Sequence, residues 1–311
     1  MKRALLIGVP GAALLLVAPS FLTSYYLGLV TKMLIFAIFA MSLDLLLGYT
    51  GLPSLGHSAY FGLGAYTVAL LVLKVAQKNF WIDGLASLAS VVVLALIFVP
   101  LTLRARGDYF LMITLALSQV IWGVAFGWRS MTGGDDGLPG IGRPMLLGWS
   151  IAGETPFYYF TLLISALATW LMWIIVRSPF GKALVGIRES ELRMQVLGYN
   201  VWRYQFIVSI LAAFFAGLAG ILFVYYNGYV GPAYLSIIFS AQALLMVILG
   251  GAGSLFGPAI GAGIIVLLEN LISAMTERWL LFLGTIYVVV TLYAPQGIHG
   301  LFRRAGSESA G

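Results

Sequence analysis

Residues 205–226, QFIVSILAAFFAGLAGILFVYY, make one unbroken apolar run, and the chain repeats such runs from end to end. Ten can be marked, roughly 5–21, 25–47, 55–76, 85–103, 109–128, 156–176, 205–226, 235–249, 255–273 and 279–294. A run of about 20 apolar residues is what a hydrocarbon core roughly 30 Å thick demands. Backbone inside lipid must satisfy its own hydrogen bonds, and these runs do not alternate with the period of two of a membrane barrel, so they are helices. The expected fold is an all-α polytopic membrane protein of about 10 helices, or 8 to 10, because 235–249 is short for a crossing and fits a re-entrant segment equally well. Apolar residues are 61% of the 311 and charged ones 9%, against about 45–50% and about 25% in soluble domains, so the chain cannot clothe itself for water.

Charge sets the orientation. Eleven of the 17 basic residues, Lys2, Arg3, Arg104, Arg106, Arg177, Lys182, Arg188, Arg193, Arg203, Arg303 and Arg304, fall on one side if the N-terminus is cytoplasmic. The other six, Lys32, Lys74, Lys78, Arg129, Arg143 and Arg278, fall at outer or boundary positions. Cytoplasmic loops collect Lys and Arg, so both termini are expected inside, with an even number of crossings. The same rule accounts for the net charge of +6 without any nucleic-acid partner. Lys2-Arg3 followed by an apolar stretch also fits a signal peptide, but no small-residue cleavage site follows cleanly, and the stretch reads as an uncleaved first span. A single membrane domain, 1–303, is expected, with a short tail at 304–311.

Chemistry of its own is not visible. With no cysteine and two histidines, thiol chemistry and most zinc sites are excluded, and no metal ligand set is expected. Gly181-Lys182 lacks the remainder of a phosphate-binding loop, so any nucleotide hydrolysis belongs to other subunits. Asp44, His57 and Ser58 do not form a catalytic set, because no nucleophile turn surrounds the serine. No enzyme activity and no bound cofactor are expected.

One long charged segment, RSPFGKALVGIRESELRMQVLGYN at 177–200, interrupts the oil. Ser178-Pro179 reads as a helix start, with the helix running to about Ile187. Ser190 caps a second short helix over 191–197, which Gly198 ends. Leu184, Val185, Ile187, Leu192, Val196 and Leu197 are more aliphatic residues than a solvated connector needs, so one face packs on the protein, on lipid or on a second protein. The other notable loop, about 129–155, holds MTGGDDGLPGIGRP, whose Gly and Pro density predicts turns.

SPFGKALVGIRESELRMQVLGYNVWRYQ, followed by FFAGLAGILF, resembles the cytoplasmic loop and next helix of the branched-chain amino acid permease family of ABC importers, in particular its LivM subfamily. GYTGLPSLGHSAYFGLGAYTVALL at 48–71, GDYFLMITLALSQV at 107–120, TGGDDGLPGI at 132–141 and VILGGAGSLFGPAIGAG at 247–263 extend the resemblance in the family's order. The resemblance implies that 177–204 is a coupling loop docked on a cytoplasmic ATPase through Gly186, Arg188, Glu189, Glu191, Leu192 and Gly198. It also implies a LivH-like permease partner, two cytoplasmic ATP-binding subunits using ATP and Mg, an extracytoplasmic binding protein and a bacterial cytoplasmic membrane. Branched-chain amino acids are the implied substrates, with amides or urea as the family alternative. One departure stands out: Arg193-Met194 occupies positions where the family has two small residues, which puts the docking geometry in question.

Polar residues inside apolar runs are candidates for function. Asp44, His57, Gln119, Gln242 and Glu269 are therefore candidate pathway residues, each with interhelical hydrogen bonding as the competing reading. If one of them carried a proton or ion, the chain would be a secondary transporter or channel instead. Gly217 and Gly220, each four residues after an alanine, and Gly253, Gly257 and Gly261 at spacings of four predict flat stripes for close helix contact. The pathway is expected to be lined by apolar and small residues without a fixed ion pair. GYTGLPSLG at 48–56 and GGAGSLFG at 250–257 are a weak internal echo.

Overall fold

The computed structural model describes residues 15–75, 79–105, 107–146 and 149–276, with 281, 282, 284, 285 and 288 beyond them. The expected first run enters this range only at 15, where 15–21 is helical, and the tail at 304–311 lies outside it. Helices follow in the order α1 Ser24–Thr50, α2 His57–Lys74, α3 Phe80–Thr102, α4 Asp108–Gly127 and the single turn α5 Arg129–Thr132. Then come α6 Glu154–Arg177, α7 Pro179–Glu189, α8 Glu191–Val196, α9 Val201–Asn227, α10 Ile237–Gly250 and α11 Phe256–Ser273. Among the described residues, α1, α3, α4, α6, α9 and α11 are long and apolar enough to cross a membrane, so the chain is a multi-pass membrane protein.

α1 and α9 form the centre. Their apolar windows are 67% and 72% buried within the protein, against 22% for α4 and 28% for α6, whose remaining surface is apolar and suited to lipid. Small residues permit the closest crossing. A Cβ on Gly220 would meet the Phe61 carbonyl oxygen at 2.0 Å, one on Gly64 the Gly217 carbonyl at 2.6 Å, and one on Gly217 the Val91 side chain at 2.8 Å. Backbone thus lies directly on backbone where α2 and α9 meet, with the Val91 side chain of α3 packed onto Gly217, the dispersion-driven contact that lipid-embedded helices favour.

Two helices begin inside the bundle. His57 Nε2, at the first residue of α2, is 2.8 Å from Ser42 Oγ, eight residues before the end of α1 and so about 12 Å from it. At the start of α10, Ser240 Oγ donates to Ser58 Oγ at 2.7 Å and accepts from the Ser58 amide at 3.1 Å. The Ser58 hydroxyl in turn donates to the Leu235 carbonyl. α10 has 14 residues, about 21 Å, which is short of a crossing; residues 228–236 carry the chain inward to its start. The 235–249 run is therefore a half-length helix whose N-terminus meets that of α2.

The 129–155 loop is folded and tethered. β1, Leu138–Pro139, pairs antiparallel with β4, Tyr229–Val230, which joins the loop to the turn after α9. β2, Met145–Leu146, and β3, Trp149–Ser150, form a second small ribbon within it.

Candidate functional site

The charged segment folds as its caps dictate. Ser178 Oγ accepts from the Gly181 amide and Pro179 opens α7. Ser190 Oγ accepts from the Arg193 amide to open α8, and Gly198 takes a φ of 87°, a left-handed value that glycine adopts at no steric cost. The inward face is a small cluster of Ala183, Ile187, Met194 and Val201. Met194 is buried there against Gly186, where an added Cβ would meet its sulfur at 2.8 Å, and Arg193 faces outward. The bulky pair is thus divided between packing and surface.

α8 presents the opposite face uncovered. Leu192 is 72% exposed, Val196 88% and Leu197 65%, and Trp202, at the start of α9, is 47% exposed. Glu191 is tied back to α9, its carboxylate accepting from Gln205 Nε2 at 2.8 Å. Glu189 is exposed. Phe180 stacks on Tyr204 at 5.3 Å, which anchors α7 to α9, and within α6 the Arg177 guanidinium lies over Trp173 at 4.3 Å.

Arg188 reaches inward from the end of α7. Its guanidinium donates to the Gly48 carbonyl, and its aliphatic stem covers Gly51. One turn before Gly48, the Asp44 carboxylate accepts from the Gly253 amide at 2.7 Å. A Cβ on Gly48 would meet that carboxylate at 2.0 Å and the Gly253 nitrogen at 2.2 Å. The two glycine-rich turns of the internal echo are therefore in contact, with Arg188 and Asp44 as the polar groups that hold them. Gly253 lies in the turn before α11 with φ 82°, so it belongs to no helical stripe. A spacing of four makes a stripe only within one helix, and the positive φ of Gly251 and Gly253 ends that continuity. Gly257 and Gly261 do sit against α10, at the Gly250 and Met246 carbonyls.

At the other end of α1 the side chains line a two-lobed, open-mouthed cavity whose lobes share a wall. One lobe, about 440 Å³, is lined by polar groups including Tyr25, Lys32, Arg143, Glu154 and Asn270. The second, about 390 Å³, is lined by Phe36, Phe223, Tyr234, Phe239 and Gln242. Lys32, Tyr226, Asn227 and Glu269 border both lobes. The Lys32 ammonium lies 3.4 Å from the Glu269 carboxylate, which also accepts from Gln242 Nε2 at 3.1 Å. A fixed ion pair is thus present where none was expected; on sequence grounds Lys32 reads as a topological cation at a boundary, and the pairing partner is 237 residues away. Phe239 of the aromatic lobe packs on Phe61 at 4.9 Å, and Phe61 on Phe39 at 4.7 Å.

The five candidate pathway residues separate accordingly. Gln242 and Glu269 meet at the cavity, Asp44 lies at the opposite end against Gly253, and His57 is fully enclosed among Ser42, Phe39 and Tyr60. Gln119 sits on α4, apart from all four, with a buried amide nitrogen that has no hydrogen-bond partner among the described residues. Among the described residues no three His, Cys, Asp or Glu side chains gather as a metal site.

Residues 25–291 match the family model described as branched-chain amino acid transport system / permease component. The chain is 30% identical over 292 residues to a high-affinity branched-chain amino acid transport system permease protein LivM of Salmonella typhimurium (strain LT2), covering 86% of this chain and 68% of that protein. Its identity to the LivM of Escherichia coli (strain K12) is 30% over 295 residues, with the same coverages. A LivH permease protein of Escherichia coli (strain K12) is 23% identical over 289 residues, covering 85% of this chain and 91% of that one. No solved structure matches the chain.

Proposed function

The chain belongs to the family of branched-chain amino acid transport permease components, and from that premise we propose that it is the LivM-type permease subunit of an ABC importer for branched-chain or other hydrophobic amino acids. It pairs with a LivH-like permease, two cytoplasmic ATP-binding subunits and an extracytoplasmic binding protein in a bacterial cytoplasmic membrane. ATP and Mg belong to the ATP-binding subunits; this chain performs no catalysis of its own. It crosses the membrane about ten times with both termini inside, since the end carrying 177–200 is rich in Lys and Arg.

The observation that carries this reading is the uncovered apolar face of α8. Leu192, Val196 and Leu197 are costly to leave in water, and an exposed apolar strip rimmed by charge marks a surface that another protein covers. Closure of the ATP-binding subunits moves that surface. Arg188 passes the displacement to the turns at Gly48 and Gly253, hence to α1 and α11, and the bundle switches by rigid displacement of packed helices.

Reconstitution in proteoliposomes tests it. Leucine uptake is expected only when this chain, its partner permease, both ATP-binding subunits, ATP and loaded binding protein are present together. Uptake by the permease pair alone under a pH gradient would show an ion-coupled carrier instead. Uptake of amides or urea in place of leucine would move the substrate within the family.

A further inference from the structure

We infer that the two-lobed cavity at Lys32 and Glu269 is a transit site for a zwitterionic amino acid with an apolar side chain. The ligand's carboxylate sits on Lys32, its ammonium on Glu269, and its side chain in the aromatic lobe. The inference rests on the importer reading and adds to it where, and by which groups, this chain touches the substrate.

Position is the first ground. Lys32 lies eight residues into α1, about 12 Å from its start. Glu269 lies four residues before the end of α11, and Gln242 five residues into α10. Ionisable groups at such depth are expensive and face interior cavities when they occur. A pair sealed by packing would leave a ligand no access. Here the side chains keep 25% and 21% of their surface accessible, and both border the two lobes.

The lining supplies the second ground. The ion pair stands at the boundary between a polar lobe and an aromatic one, with the Lys32 ammonium 5.7 Å from the centre of the Phe36 ring. Polar anchors at one edge of an apolar chamber are the pattern of small-molecule sites, and each lobe falls in their size range of roughly 300–1,000 Å³. Gln242 fixes the Glu269 carboxylate by donating to Oε2, while Lys32 approaches Oε1. A zwitterion inserted between the two charges gives each a new counter-charge as the old one is lost. A simple amine or carboxylate engages one charge and strands the other, and stranding a partly buried charge is costly. Because ion pairing is exchanged and not created, net affinity stays low, as a site that must release its cargo requires.

The absence of cysteine permits a direct test. Ile238 lines the aromatic lobe and is 56% exposed, so Ile238→Cys places one thiol on this chain beside the site. Maleimide labelling of this chain is followed by mass in the complete complex, without binding protein. L-Leucine at about 10 mM, which fills roughly nine-tenths of a millimolar site, is expected to slow labelling about tenfold. Leucinamide and 4-methylpentanoate, each with one of the two charges, are expected to leave the rate unchanged. Glu269→Gln or Lys32→Gln in the same background is expected to abolish protection while the unprotected rate and elution profile stay the same. No protection by leucine, equal protection by the singly charged analogues, or protection that persists in both variants overturns the site. ATP-driven leucine uptake by the wild-type complex is measured in parallel. Uptake without protection removes this inference alone, whereas protection without ATP-driven uptake removes the importer reading and leaves the zwitterion site standing.

Discussion

At the end of the bundle bearing α7 and α8, charged side chains bind main chain: Arg188 takes the Gly48 carbonyl and Asp44 takes the Gly253 amide. At the opposite end, Lys32 and Glu269 bind each other, side chain to side chain, at a cavity wall. Bonds to backbone leave the partner no rotamer to change, so displacement of one segment is passed to the next. Bonds between two flexible side chains can be parted by a third molecule of complementary charge. The first arrangement suits transmission and the second suits exchange, although each spends charge in a protein that has very little.

The contrast breaks most severely at Gly48. Valine there has no room between the Asp44 carboxylate and the Gly253 backbone, and overpacking of this kind costs about 1–3 kcal/mol or more. Gly48→Val is expected to lower the unfolding midpoint of the detergent-purified permease, read by tryptophan fluorescence, and to abolish uptake. An unchanged midpoint would mean that the two turns are not pressed together.

Asp44 gives the next largest effect. Asp44→Ala removes a buried hydrogen bond and leaves the Gly253 amide without its acceptor, a cost of about 1–3 kcal/mol. It also releases the Gly251–Leu255 turn, in which Leu255 is held at a φ of 34° that favours no side chain. Asp44→Asn keeps an acceptor for Gly253 and is expected to lose less than half as much stability. Equal losses in the two variants would assign the role to charge alone and not to the hydrogen bond.

Val196 marks the smallest effect on the permease itself. At 88% exposure, Val196→Glu is expected to shift stability by less than about 0.5 kcal/mol. Uptake in the complete assembly is nevertheless expected to fall at least tenfold, with less ATP-binding subunit retained on purification. Unimpaired uptake would show that α8 faces nothing.

Local chemistry was readable throughout 177–200, where Ser178, Pro179, Ser190 and Gly198 each act within four residues of their own position. Gln242 and Glu269 were visible as well, because a polar residue in an apolar run stands out against its neighbours. Lys32 was not, since a lysine near the end of a span looks the same whether it meets lipid headgroups or a carboxylate 237 residues away. The Asp44–Gly253 bond was hidden for the same reason, across a separation of 209. The shortness of 235–249 already left a re-entrant segment open, whereas the early start of α2 was hidden because hydropathy reports how apolar a segment is and not the depth at which it begins.

The residue order alone settled that the chain lives in lipid, that it is helical, and where its surface helices begin and end. Hydration and capping energies act over a few residues, so the information is local. Only the tertiary structure decided which charge meets which backbone or side chain, and which glycine lies in a turn. Those outcomes depend on where distant helices are brought together, and a contact between two segments is a property of neither one by itself.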